Sequence, residues 1–162
     1  MEGAAGLLAW LEATPLAAAM RGSLWMYPIV EIFHITGFAI LVGSVAMFDL
    51  RVLGFARSLP VQALGRYLLP WSVASLALIV PAGLMMFSAH PHDFAANPVF
   101  QLKLLLIGAA GLNAGLFHVG VYRGVAHWNE GRPAPALARV HAAASLAIWI
   151  AVICCGRLLA YT

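Results

Sequence analysis

The chain has 162 residues, of which 63% are apolar and only 9% charged, and its mean hydropathy is +0.91. This composition excludes a water-soluble globule and puts the chain in a lipid bilayer. Its net charge of +3 comes from nine Lys and Arg spread singly along the sequence, without the basic run or stripe that nucleic-acid binding requires, so nucleic acid is not an expected partner.

In chain order, the amino-terminal stretch lacks a basic leader and is interrupted by Glu2 and Glu12, so it does not read as a cleaved signal peptide. Thr14-Pro15 reads as an N-cap followed by proline at the first helical position, and Gly22 as a stop. A short interfacial helix on the outer membrane surface is predicted there. Four apolar stretches follow, at about 25–48, 67–88, 99–121 and 137–159, each near the ~20 residues a bilayer core requires. The predicted fold is all-α: a single transmembrane domain, an integral membrane four-helix up-down bundle preceded by the interfacial helix. Pro81, in the middle of the second span, removes the donor to the Ala77 carbonyl and predicts a bend.

The segments 49–66 and 122–136 carry Arg51, Arg57, Arg66, Arg123 and Arg132, with Arg139 just beyond, whereas His90 to Pro98 contains no base. The positive-inside rule then puts both termini outside. Asp49 and Arg51 are expected to cap the first span and meet headgroups. Cys154 and Cys155 are adjacent within an apolar stretch and read as small buried residues, with no disulfide framework or zinc spacing.

Ionisable groups at membrane depth need a partner or a cavity, which makes them the candidate functional residues. Glu31 and His34 share one face of the first span. Glu-x-x-His is used by di-metal carboxylate bundles, but no second such pair exists here, leaving His34 as a single ligand or as a hydrogen-bond partner of Glu31. In the third span Lys103, Gly108, Gly111, Gly115 and His118 form one stripe. The glycines suit close helix packing, or leave room for a flat macrocycle beside His118.

Helical rise puts His118 and His141 about 25 to 30 Å below the outer surface and His34 only about 9 to 14 Å below it. Two facing imidazoles on neighbouring helices, His118 and His141, are what a six-coordinate haem b needs, with Arg123 and Arg139 near its propionates. A second, outer haem would pair His34 with His90 or His92 and take Lys103, Arg157 and Arg21 as its positive rim. Arg157 faces away from His141, and either snorkels to headgroups or pairs with Glu31.

Tyr27-Pro28, Glu31, His34, Gly37, Gly43 and the run Asp49-Leu50-Arg51-Val52-Leu53-Gly54 resemble a family of small four-span bacterial membrane proteins. Asn97-Pro98, Phe100, Lys103, Asn113 and Gly156-Arg157-Leu158 extend the resemblance over most of the chain. It implies a bundle in a bacterial inner membrane, with His34, Lys103 and Arg157 as shared positions, and implies no reaction. His141 lies outside the pattern. The His-x-x-Gly motif of the first span is also similar to membrane copper-resistance proteins and b-type cytochromes.

These readings lead to an expected function: a b-type cytochrome-like electron-transfer protein holding haem b through intramembrane histidines and exchanging electrons with quinone or a partner oxidoreductase. No spaced nucleophile and base, phosphate loop or paired catalytic carboxylates suggest independent catalysis. One alternative is copper or other metal handling, with Glu31, His34, His118 and His141 as metal candidates and His90, His92, Met85 and Met86 as outer donors. Another is a structural subunit of a homo-oligomer or larger membrane complex, contacting its neighbour through the glycine stripe.

Overall fold

A computed structural model of the chain describes residues 2–161. Its elements are α1 (Glu2–Glu12), α2 (Pro15–Gly22), α3 (Met26–Leu53), α4 (Val61–Ala89), α5 (Pro91–Ala96), α6 (Pro98–Val119), a 3-10 segment (Val121–His127) and α7 (Ala136–Leu158). Among the described residues, α3, α4, α6 and α7 are long and apolar enough to cross a bilayer. The all-α four-helix membrane bundle expected from the hydropathy pattern is the fold.

The helix ends follow local chemistry. Thr14 caps α2 by accepting the Ala17 N–H at 3.2 Å, as the Thr-Pro pair predicts. Arg21 then donates to the carbonyls of Ala89 (2.8 Å) and Glu12 (3.0 Å), which ties α2 to the end of α4 on the side of the chain termini; that end of the bundle is labelled outer and the opposite end inner, as names for the two ends alone. α3 runs five residues past the predicted Phe48, since Asp49 to Leu53 contain no helix breaker. It stops at Gly54, where φ is 113° and the Phe55 N–H closes back on the Leu50 carbonyl at 3.0 Å. That closure requires a left-handed residue, which glycine adopts without strain.

α4 begins six residues earlier than predicted, directly after Pro60, and continues through both Pro70 and Pro81. Membrane helices tolerate such prolines where neighbours satisfy the freed carbonyls. Asn97 opens α6, its side chain accepting the Val99 N–H at 2.8 Å, with Pro98 in the first turn.

α3 lies between α4 and α7, and α6 packs on α7. The α3–α4 contact is closest at Gly37, where an added Cβ would stand 2.9 Å from Ile79 Cγ1 and 3.2 Å from the Ser75 carbonyl oxygen. Glycine is therefore needed for these two backbones to approach. α4 and α6 do not approach one another within 8 Å between Cα atoms. They are bridged at the outer end by the rings of Phe87, Phe94 and Phe100, whose centroids lie 5.4 to 6.2 Å apart. At the inner end the 3-10 segment joins α4, α6 and α7. A groove remains between the two bridges.

Two expectations are corrected by the fold. Asp49 and Arg51 do not lie beyond the helix among headgroups: both are inside the final turns of α3, with only 6% and 2% of their surface exposed. Arg51 donates to the carbonyls of Leu59 (2.6 Å), Arg57 (3.1 Å) and Asn129 (3.1 Å), so one guanidinium joins the two inner loops. Asn129 reinforces the joint by accepting the Val61 N–H at its carbonyl and the Gln62 N–H at its side chain, both at 2.9 Å. The second correction concerns the α6 stripe. An added Cβ at Gly108, Gly111 or Gly115 would meet nothing within 4 Å, so these glycines serve no packing inside the described chain.

Candidate functional site

The groove between α4 and α6 is lined by Gly65, Arg66, Leu69, Pro70, Val73 and Ala74 on one side and by His118 and Tyr122 on the other; it is shallow and wide open, with a volume of about 650 Å³. Its wall is apolar over the α4 stretch and becomes polar toward the inner end, where Arg66, His118 and Tyr122 meet. Gly65 makes room for Tyr122: an added Cβ would stand 2.8 Å from the phenol oxygen. The Tyr122 ring also touches Phe48, Phe117 and His118, at centroid distances of 6.1, 5.5 and 5.1 Å. Burial there raises the phenol above its usual value of 10.0, and Arg66 draws it partly back.

His118 is exposed to this groove, with Nδ1 2.8 Å from the Ala114 carbonyl one turn earlier on α6. A carbonyl only accepts, so Nδ1 carries a hydrogen, and Nε2 is the nitrogen through which the neutral ring would coordinate metal. His34 repeats the pattern, its Nδ1 donating to the Ile79 carbonyl of α4 at 3.0 Å. His141 does so too, with Nδ1 2.8 Å from Asn113 Oδ1 while the Asn113 amide donates to the His141 carbonyl at 3.0 Å.

His118 and His141 do not face each other across an open space. Each instead lies against the Phe117 ring, at centroid distances of 5.4 and 6.1 Å. His118 belongs to the groove and His141 to the α6–α7 seam. Arg66 is the arginine that lines the groove. Arg123 is exposed on the 3-10 segment, and Arg139 lines a separate shallow surface pocket with Leu53 and Ala136.

At the outer level His34 is half-buried, with Glu31 and Lys103 both within electrostatic range. Two glycines shape its surroundings. An added Cβ at Gly83 would lie 3.2 Å from the imidazole, and one at Gly156 would lie 3.7 Å from Lys103 Nζ. His90 and His92 are engaged elsewhere, His90 with Asp93 and His92 with Glu12, each at 3.9 Å. Arg157 pairs with the Tyr161 hydroxyl and lies over its ring, 4.8 Å from the centroid, and Glu31 is exposed.

Among the described residues no three His, Cys, Asp or Glu side chains are grouped to hold a metal ion. A bare ion caged by protein ligands needs four or more donors. Tyr122 and Arg66 were not among the site residues expected from sequence. The only signal for them was their place next to span ends, which also describes ordinary interfacial anchors.

Residues 9–162 match a single family description over almost the entire chain. The chain belongs to the family of unknown function DUF6644. Neither the curated proteins nor the solved structures contain a match, so the likeness of the His-x-x-Gly motif to copper-resistance proteins and b-type cytochromes gains no support from them. For this DUF6644 chain, the chemistry has to be read from the groove and the histidines themselves.

Proposed function

We propose that the chain is a membrane-embedded electron-transfer protein that holds haem b in the groove between α4 and α6, with His118 as its protein ligand. The observation that carries this reading is the pairing of a groove of about 650 Å³ with an imidazole whose Nδ1 is fixed by the Ala114 carbonyl. That bond sets the tautomer and orientation of the ring, as partners of ligating histidines do elsewhere. Arg66 supplies positive charge at the inner mouth for a propionate, the part that sequence reasoning gave to Arg123 and Arg139. Haem, when bound, supplies a one-electron couple at membrane depth. The apolar α4 wall offers a quinone tail the same lateral entry, which makes quinone the natural exchange partner.

The setting proposed is the bacterial inner membrane with both termini outside, from the arginines at the inner end. The deciding experiment is a reduced-minus-oxidised spectrum of protein purified after expression with added haem. A haem b spectrum in the wild type that is lost in His118→Leu supports the proposal. Protein that binds no haem, or binds it equally well as His118→Leu, overturns it. Copper without haem in the same sample would favour metal handling through His34 and Glu31.

A second reading is favoured by the open face of α6, where Gly108, Gly111 and Gly115 meet nothing within 4 Å. Such a stripe suits a neighbouring helix in a homo-oligomer or larger complex. Cross-linking that captures only monomer would count against it.

A further inference from the structure

Among the described residues, Asp49 Oδ2 stands out as a buried side-chain oxygen with no hydrogen-bond partner. Asp49 is 6% exposed on α3, and its carboxyl group is hydrogen-bonded to the Ser145 hydroxyl of α7. Among the described residues no counter-charge compensates it. Arg51, two residues on, spends its guanidinium on the carbonyls of Leu59, Arg57 and Asn129. On α7 the titratable group on the face of Ser145 is His141, one turn earlier and engaged with Asn113, while Arg139 is exposed. The one Lys or Arg of α4, Arg66, is exposed and lines the groove beside Tyr122.

We infer that Asp49 is an intramembrane proton-binding site: its carboxyl carries a proton in the folded protein and exchanges it with the inner aqueous side. A neutral carboxyl satisfies the geometry that a carboxylate leaves open. Its O–H donates to Ser145 Oγ, and the other oxygen remains a plain carbonyl, which costs far less to leave unbonded than half of a buried charge. A metal ion is a poor occupant, because it needs four or more ligands and the described residues offer no group of even three candidate side chains. Exchange needs only a short path. Asp49 is four residues before the inner end of α3, about 6 Å along the helix axis. Uptake adds one proton and leaves the site uncharged.

The test is infrared spectroscopy of the full chain in lipid, with or without haem, so its result is independent of the haem proposal. The sequence has only six Asp and Glu, and Glu31 is the other one inside a span, so Glu31→Gln serves as the control. The expected result is a protonated-carboxyl carbonyl band near neutral pH in wild type and in Glu31→Gln. It shifts in heavy water and is lost in Asp49→Asn. Absence of the band, its persistence in Asp49→Asn, or a band unmoved after equilibration in heavy water each overturns the inference. Should Asp49→Asn fail to insert, Ser145→Ala provides the second measurement. Removing the acceptor must move the band to higher frequency, and an unmoved band overturns the inference equally.

Discussion

His141 and Asn113 hold each other twice across the α6–α7 seam, through Nδ1 to Oδ1 at 2.8 Å and through the Asn113 amide to the His141 carbonyl at 3.0 Å. The carboxamide thereby engages both a donor and its acceptor on one residue. Bonds of this kind between membrane helices are worth about 1 kcal/mol. In a double-mutant cycle of Asn113→Leu and His141→Leu, followed by unfolding in detergent, the coupling is expected near that value. Additive losses would mean that the pair does not act as a unit.

Arg51 makes a stronger claim. Arg51→Ala strands carbonyls from both inner loops and is expected to destabilise the protein by about 3 kcal/mol, with the inner loops becoming protease-sensitive. Arg51→Lys should not restore stability, because a single ammonium cannot present the guanidinium's spread of donors to acceptors at 57, 59 and 129. Thermal unfolding of the two variants separates shape from charge.

The glycines divide into two groups with opposite expectations. Gly37→Ala forces a methyl to within 3 Å of Ile79 and should cost about 1 to 3 kcal/mol as α3 and α4 move apart. Gly111→Ala meets open space and should leave the stability of the monomer unchanged or slightly raised. Melting temperatures measured side by side check both.

Tyr122 predicts a loss of stability in alkali. Its phenol titrates above 10.0 in the folded protein because burial disfavours the phenolate. The stability this contributes is complete below the unfolded value of 10.0 and is lost as pH rises through the folded one. Unfolding monitored by circular dichroism between neutral pH and strong alkali should show this dependence, and Tyr122→Phe should reduce it.

Much of the bundle was legible in the sequence because lipid imposes a length and a composition on every span. Thr14 and Pro15 gave their cap through local chemistry alone. The inner end of α3 was harder to read. Asp49-Leu50-Arg51 looks the same whether its charges meet headgroups or protein, and the acceptor that decides between them, the Asn129 carbonyl, is 78 residues away. The candidate site was legible in its parts and not in its assembly. The stripe of His118 on α6 was correct as helical geometry, yet helical spacing does not tell which neighbour a stripe faces. The separation of α4 from α6, which opens the groove and gives Tyr122 and Arg66 their place, is a tertiary outcome with no local signature.

The Arg51 staple also bears on the order in which the protein is built. Its first two acceptors are in the loop that follows α3 and emerge with the first helical hairpin, but the third comes only after α6 has been synthesised. Until Asn129 arrives, an early insertion intermediate holds a cation that is short of one partner. The last hairpin therefore completes the joint between the inner loops, and a nascent chain stopped before residue 129 lacks the third acceptor of the Arg51 guanidinium.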